Sequence, residues 1–346
     1  MYYLIYRPNT ISEIDLEVVA DKIEAILKGK SIPHAILLTG PKGIGKTSIA
    51  RILAKAINCE KNSFANISTS VDPCNRCYNC LSIAQGSNLD VYEIDGASNR
   101  KIDEMRNLID KVKFLPIRTH FKVYIIDEAH MLTKEAFNAL LKTLEEPPKH
   151  TIFILATTEV DKMPTTIVSR CIHINFPRAN NTSIVHMLKR ILKGEKIKAD
   201  EEILETIAKN SDNSFRDATK ILEQAIIENK LSVAGIHDII GFKLFDQDLL
   251  LLISKQNVKD LLSILENYDK NGGSFKPLIE YYLDRLHKLL LFKKGLDSDI
   301  TTDYNLTISQ IVKLIRLFSE AYRNLKYSPI ESLPLELAII DFFSEK

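Results

Sequence analysis

The residues Gly40-Pro41-Lys42-Gly43-Ile44-Gly45-Lys46-Thr47 carry the most specific chemistry in this sequence. They fit G-x-x-x-x-G-K-[ST] in full, with an apolar run before them and the helical pattern Ile49, Ile52, Leu53, Ala56 after them. Glycines let backbone N–H groups turn inward around phosphates, and the N-terminus of the following helix adds positive potential there. In such a loop Lys46 reaches the β- and γ-phosphates of ATP, and the Thr47 hydroxyl ligates Mg²⁺. A second chemical signal is Asp127-Glu128-Ala129-His130, at the end of the apolar run 123–126. Carboxylates at the end of a buried strand are costly unless a cation meets them. Asp127 is placed to hold the magnesium hydration shell and Glu128 to polarise an attacking water. A solvent-facing charge pair is the alternative, and the phosphate loop upstream argues against it. His130 is given no role.

Weaker signals follow. The apolar run 152–156 ends in Thr157-Thr158, whose hydroxyls would lie beside the acidic strand, within reach of a γ-phosphate or its attacking water. Taken alone, a strand-terminal threonine reflects β-propensity. Arg170, in Ser169-Arg170-Cys171, precedes the last apolar run, where a fixed guanidinium could stabilise transition-state charge. An arginine in a turn is otherwise a solvated charge. Arg216 opens a helical pattern, and spacing does not separate a site role from a helix-surface one.

Cys74, Cys77 and Cys80 form C-x₂-C-x₂-C, and Cys59 lies 15 residues before Cys74. Four thiolates make a closed tetrahedral zinc site with no open position for catalysis. An iron–sulfur cluster also uses closely spaced cysteines. Zinc is favoured over it because no redox partner motif accompanies the loop, and a chance group of free thiols is the third reading. Cys59 is the least secure ligand, because the chain between it and Cys74 must fold back. The fifth cysteine, Cys171, reads as a small buried residue.

The elements that must position these groups are legible as periodicity. The runs 35–39, 91–94, 123–126, 152–156 and 172–176 read as strands separated by amphipathic stretches. Phe137, Leu140, Leu141 and Leu144 mark one such helix face. Strand–helix alternation argues an α/β fold with a parallel sheet covered by helices, and the nearly all-apolar 123–126 suits a central strand. After Pro177 the strand signals stop. Residues 182–193, 200–210 and 214–229 are helical by pattern, Gly241 closes that unit, and only helical patterns follow, the last at 335–343. Lys270-Asn271-Gly272-Gly273-Ser274 is a turn between two helices.

The chain has 346 residues, 45% hydrophobic and 26% charged, as suits a core-forming protein of about two to three domains. No apolar run reaches the length of a membrane span, and no signal peptide is read at the start, so the expected compartment is the cytoplasm. Net charge is +1, with 46 basic and 45 acidic residues. A protein that coats DNA through bulk charge is usually far more basic, so any nucleic-acid contact must be local or shared among subunits. Arg100 and Lys101, after Gly96-Ala97-Ser98-Asn99, are the candidate phosphate contacts, against a plain solvated helix start.

With these residues in hand, the chain resembles the gamma/tau subunits of the bacterial DNA polymerase III clamp loader, which are AAA+ ATPases. The resemblance runs through the first 240 residues. It rests on Tyr6-Arg7-Pro8, His34-Ala35, Gly45-Lys46-Thr47-Ser48-Ile49-Ala50-Arg51, Asn58-Cys59, the three further cysteines, Phe121-Lys122-Val123-Tyr124, and Asp127-Glu128-Ala129-His130-Met131-Leu132. The run from Phe137 through Glu145-Glu146-Pro147-Pro148, then Leu155-Ala156-Thr157-Thr158, Ser169-Arg170-Cys171 and Phe215-Arg216-Asp217-Ala218 complete it. It implies an AAA+ module over 1–177 with a zinc-binding insertion at 59–80, a helical lid over 178–242 and an all-α collar over 243–346 that drives oligomerisation. It implies ATP bound by residues 40–48 together with Arg7, Pro8, Thr157, Thr158 and Arg216, the last as a second sensor. It implies Mg²⁺ at Thr47 and Asp127, structural zinc at Cys59, Cys74, Cys77 and Cys80, and Arg170 as a finger acting on the neighbouring subunit's ATP. The implied partners are delta, delta-prime and further gamma/tau copies, the sliding clamp and primer–template DNA, in a nucleoid-associated replisome without membrane.

The sequence departs from the family at Glu13-Ile14-Asp15-Leu16-Glu17, where relatives carry a Val-Val-Gly-Gln-like segment that helps bind adenine, and in a longer loop between Cys59 and Cys74. Beyond 242 the likeness is one of helical pattern and length, and the helicase- and polymerase-binding domains of the longer family form are expected to be absent. Three rivals remain. A scaffold-only loader subunit is opposed by the intact phosphate loop and acidic pair. A helicase-like AAA+ motor is opposed by the cysteines and Ser169-Arg170-Cys171. A zinc-ribbon module with vestigial ATP binding is opposed by the acidic pair.

Overall fold

The computed structural model describes residues 1–29, 31–62, 71–98, 102–240, 248–295 and 304–344. The chain divides into two compact units, Met1–Glu223 and Gln224–Lys346. The first unit starts with helices α1 (Tyr2–Ile5) and α2 (Glu17–Leu27), then β1 (Ala35–Thr39), α3 (Lys46–Asn58), α4 (Tyr78–Ala84), β2 (Val91–Asp95) and α5 (Ile102–Val112). It continues through β3 (Lys122–Asp127), α6 (Lys134–Glu145), β4 (Thr151–Thr157), α7 (Thr165–Val168) and β5 (Ile172–Asn175) to α8 (Asn181–Glu195), α9 (Glu201–Lys209) and α10 (Phe215–Ile227), whose last four residues belong to the second unit.

The five apolar runs become the five strands, and all pair in parallel in the order β2-β3-β4-β1-β5. Every residue of β1 and β4 is buried, as are the first five of β3, which is why these segments read as unbroken apolar runs rather than alternating ones. Phe176, expected in the last strand, lies one residue past β5 but still donates its N–H to the Thr39 carbonyl at 2.7 Å. Phe137, Leu140 and Leu144 of α6 pack with Tyr124 and Ile126 of β3 and Phe153 and Leu155 of β4 in one apolar cluster, and Leu141 is half-buried beside it. Thr133 caps α6 by accepting from the Ala136 N–H.

Two polar anchors set the edge of this layer. Lys122 is buried in β3, and its ammonium donates to the Lys111 and Phe114 carbonyls at 3.0 and 3.1 Å, where a cation complements the C-terminal end of α5. Asp90, also buried, accepts the N–H groups of Ile117, Arg118 and Thr119.

The second unit holds α11 (Val233–Ile240), α12 (Leu249–Ser254), α13 (Val258–Lys270), α14 (Phe275–Lys293), α15 (Ile308–Asn324) and α16 (Leu333–Ser344). Its core runs from Leu249 through Leu265, Phe275, Tyr282, Leu314 and Phe318 to Ile339. The Gly-Gly turn joins α13 to α14 as expected, with Gly272 at φ 70°. No described helix is long and apolar enough to cross a membrane. Gly241, Arg100 and Lys101 lie outside the described residues.

Candidate nucleotide site and cysteine cage

The phosphate loop leaves the C-terminal end of β1, where β4 pairs on one side and β5 on the other. Consecutive connections from β1 and its neighbours run to opposite sides at that point, which opens the crevice that parallel sheets use for ligands. Gly45 precedes α3 in the left-handed conformation, with φ 102°. Gly43 is also left-handed at φ 77°, and a Cβ there would stand 2.1 Å from the Ser214 hydroxyl oxygen. Glycine at 43 therefore lets the segment before α10 close on the loop, where the Arg216 N–H donates to the Gly43 carbonyl at 3.3 Å.

Lys46 is buried, and its ammonium donates to the Gly40 and Pro41 carbonyls at 2.8 and 2.7 Å. Burial lowers its pKa, while Glu128 and Asp127 oppose that shift. Thr47 Oγ1 donates to Asp127 Oδ2 at 2.5 Å, so the two groups expected to share magnesium already meet. Glu128 has a left-handed backbone, φ 45°, a conformation disfavoured for a residue with a Cβ and held here by its surroundings. Its N–H donates to Asp127 Oδ1, and its carboxylate accepts from Thr158 Oγ1 at 3.3 Å.

A cleft of about 210 Å³ gathers these groups. Lys42, Gly43, Ile44, Gly45, Lys46, Thr47 and Ser48 line it, with Asp127 and Glu128 on one side and Arg7, Pro8 and Arg216 among the others. Gly40 and Pro41 join it through Lys46. Arg216 stacks over the Tyr3 ring with 5.0 Å to the centroid. Burial lowers the pKa of Arg7, and the nearby positive charges of Arg51 and then Arg216 add to that effect. The cleft thus concentrates cations, the electrostatics that a polyphosphate requires.

The threonine pair is split by the structure. Thr158 faces Glu128. Thr157 is fully buried, in register with Thr39, and its hydroxyl lies 3.0 Å from His130 Nδ1. Arg170 does not line this cleft. It sits just past α7, one-third exposed, bound to Glu145 at 2.5 Å and to the Thr166 carbonyl at 2.7 Å.

Sequence reasoning passed over three residues. His130 is buried between Thr157, Glu128 at 3.5 Å and Glu159 at 3.3 Å, bridging the acidic strand to β4. Its only signal was its place two residues after Glu128. Asp15, in the divergent segment, is buried and pairs with Arg190 at 2.8 Å and His186 at 2.9 Å, while Ile14 and Leu16 line the cleft beside it. That segment still forms a cleft wall despite its unusual residues. Lys55, buried on α3, had no sequence signal.

The sulfur atoms of Cys59, Cys74, Cys77 and Cys80 all lie within 4.8 Å of one another. Tetrahedral zinc with bonds near 2.3 Å calls for sulfur separations of about 3.8 Å, so a small contraction suits the ion. The backbone is arranged for thiolates: the N–H groups of Cys74, Cys77 and Cys80 point at the sulfurs of Cys59, Cys74 and Cys77 at 3.3, 3.3 and 3.4 Å. Burial pushes Cys74 up, but the Arg76 and Cys77 N–H groups and the neighbouring thiols more than offset it and bring the thiol down to about 6. Burial raises Cys59 and Cys80, so no more than part of the set ionises without a cation. The donor set fits zinc. Cys171, expected to be buried, is half-buried at the end of α7, its thiol raised to about 11 by burial and donating to the Ile167 carbonyl. It packs against the apolar cluster around Ile167 and Leu155.

A parallel sheet carrying a complete phosphate loop, with an acidic strand-end pair and a helical lid, defines an AAA+ P-loop module. Thermotoga maritima RuvB, titled a Holliday junction branch migration motor, shares this fold at TM-score 0.50 and 20% identity, over 73% of this chain and 80% of that one. Residues 16–180 match the family model "DNA polymerase III, delta subunit", and residues 183–229 match "DNA polymerase III clamp loader subunit, ATPase lid domain". Subunit gamma of Buchnera aphidicola from Acyrthosiphon pisum is 39% identical over 87% of this chain and 80% of its own length. Subunit tau of Bacillus subtilis is 37% identical over 98% of this chain, so similarity continues past residue 242, and Escherichia coli tau is 38% identical over 83%. The chain belongs to the DNA polymerase III gamma/tau family. It spans 62% of the Bacillus tau subunit and 44% of the Escherichia coli one.

Proposed function

We propose that this chain is the ATP-hydrolysing motor subunit of a DNA polymerase III clamp loader, working in the cytoplasm at the nucleoid-associated replisome with delta, delta-prime and further gamma/tau copies. One observation carries this reading. Lys46, Thr47, Asp127 and Glu128 converge on a single cation-rich cleft at the C-terminal ends of β1 and β3. ATP would place its phosphates against the loop N–H groups, and Lys46 would exchange the Gly40 and Pro41 carbonyls for phosphate oxygens. Thr47 and Asp127 would hold magnesium, which would supply charge neutralisation to the phosphates. Glu128, kept aimed by Thr158, orients and polarises the attacking water. Arg170 has no place in this cleft, which supports its action on the ATP of an adjacent subunit. The four cysteines would hold zinc as a structural ion, with no position left for substrate. ATP-driven closure across subunits would open the sliding clamp, admit primer–template DNA and then, on hydrolysis, release both.

The test is ATP turnover by the reconstituted loader, with and without clamp and primed DNA. Stimulation by DNA that increases when clamp is added supports the reading. Stimulation by DNA alone, with strand separation, would instead favour a translocating motor.

A further inference from the structure

Lys55 joins the cysteine cage to the nucleotide cleft. It lies on α3, the helix that begins at Lys46 and is capped at its far end by Cys59. The residue is 3% exposed, which is costly for an ammonium unless charge or dipoles meet it. It donates to the Asn9 carbonyl at 2.9 Å and to Asn75 Oδ1 at 2.7 Å, with a longer contact to Asn9 Oδ1 at 3.4 Å. Asn75 Nδ2 donates to the same Asn9 carbonyl at 3.2 Å. Two residues on, the Ile11 N–H donates to Asp72 Oδ1 at 2.5 Å.

These bonds stitch residues 9–11 to residues 72–75, the stretch that delivers Cys74 to the cage. Residues 9–11 in turn connect Arg7 and Pro8 to Ile14 and Leu16, all four of which line the cleft. Burial lowers the pKa of Lys55, and neighbouring negative charge, that of Glu13 included, opposes the shift; four thiolates around Zn²⁺ would bring a net charge of about −2 to the cage. Outer-shell partners of this kind orient ligands and tune the metal.

We propose that zinc in the cysteine cage braces the nucleotide cleft through Lys55, so that metal occupancy and nucleotide affinity are coupled. Lys55 is a positioning residue, touching neither nucleotide nor metal. The inference rests on the reading of the cleft as a nucleotide site. Coupling between two ligands is reciprocal, so each must tighten the other by one common factor.

The experiment uses the full chain and two titrations: zinc against a chromogenic chelator, with and without a saturating non-hydrolysable ATP analogue, and a fluorescent ATP analogue before and after zinc removal. Zinc affinity should rise about 10-fold with nucleotide, and nucleotide affinity should fall by the same factor without zinc. Lys55→Met should still bind both while the factor collapses towards one. Asn75→Gly, which tolerates the left-handed φ of 53° at that position and deletes the amide acceptor, should do the same and serves if Lys55→Met does not fold. Binding of both ligands by the unmodified protein with no mutual effect overturns the coupling alone. Zinc binding without any nucleotide binding overturns the reading of the cleft, and the coupling with it.

Discussion

The two units of this chain treat buried polarity in opposite ways. Unit Met1–Glu223 buries the charged Lys46, Lys55, Asp90 and Lys122 together with several amides and hydroxyls, whereas among the described residues of unit Gln224–Lys346 the buried polar groups are the Ser332 hydroxyl and the hydroxyl-bearing rings of Tyr268, Tyr282 and Tyr304, and no charged side chain is buried. Desolvating a charge is costly, so a fold that keeps several has a use for each. Lys122 closes the end of α5, Asp90 gathers a loop, Lys46 sits where phosphate is expected and Lys55 ties segment 9–11 to the cage. The second unit is held by apolar contact between helices. Its polar cluster of Arg285, Asp248 and Tyr304 is only partly buried at the guanidinium and carboxylate. The difference teaches that chemistry should reside in the first unit, and substitutions in the two should fail differently.

The largest effect is expected at Lys46. Lys46→Ala should remove nucleotide binding and turnover altogether while circular dichroism and the melting curve stay close to the parent, because its ammonium meets carbonyls rather than the apolar core. Near-normal ATPase activity in that variant would break the comparison at once. Next comes Arg170→Ala, which should bind ATP nearly normally as an isolated chain yet lose about 10³-fold in clamp- and DNA-stimulated turnover. Glu128→Gln should retain binding and lose about 10²-fold. Mixing the last two variants sharpens the assignment, since an interface pairing an intact Glu128 with an intact Arg170 regains activity only if the finger acts between chains. Mixed oligomers as inactive as either variant alone would place Arg170 in its own chain's reaction.

How much of this was legible in the sequence follows the same division. The phosphate loop, the acidic pair and the cysteines announce themselves because their chemistry dictates residue type at fixed spacing. Strands β1, β3 and β4 were legible because strands buried on both faces are apolar without interruption. Asp15, Lys55 and His130 were not, because their partners (Arg190, Asn9 and Asn75, Thr157) are remote in sequence and no local pattern encodes a long-range pair. The threonine pair was legible as a pair but not as two environments, since adjacent residues at a strand end face opposite sides. In the second unit periodicity gave helices and nothing more, which is what a core without buried charge leaves to read.

A mutation in that apolar core should cost stability and spare chemistry. Leu314→Ala removes a fully buried side chain among Leu286, Phe318 and Ile339 and should destabilise the second unit by about 2–5 kcal/mol in denaturant unfolding. Affinity of the isolated chain for an ATP analogue should be unchanged below the transition. A matching loss of ATP affinity under folding conditions would show that the second unit shapes the cleft.

The smallest effect tests the same separation without a cavity. Thr307 precedes α15 and forms a reciprocal cap: its hydroxyl accepts the Gln310 N–H at 3.3 Å, and its own N–H donates to Gln310 Oε1 at 2.8 Å. These satisfy two groups at the start of a helix that have no partner within it. Thr307→Ala removes the hydroxyl and leaves the Gln310 N–H to water, a loss of about 1 kcal/mol. Thr307→Ser keeps the acceptor oxygen and should recover most of that loss, which distinguishes a lost cap from a lost methyl contact. Because the side chain lies at an exposed helix start in the unit without buried charge, turnover at saturating ATP should match the parent in both variants. Equal melting curves for the alanine and serine variants would remove the cap from the account of α15. A fall in turnover comparable to that of Glu128→Gln would be the more serious result, since it would put catalytic consequence in a unit whose described residues bury no charged side chain.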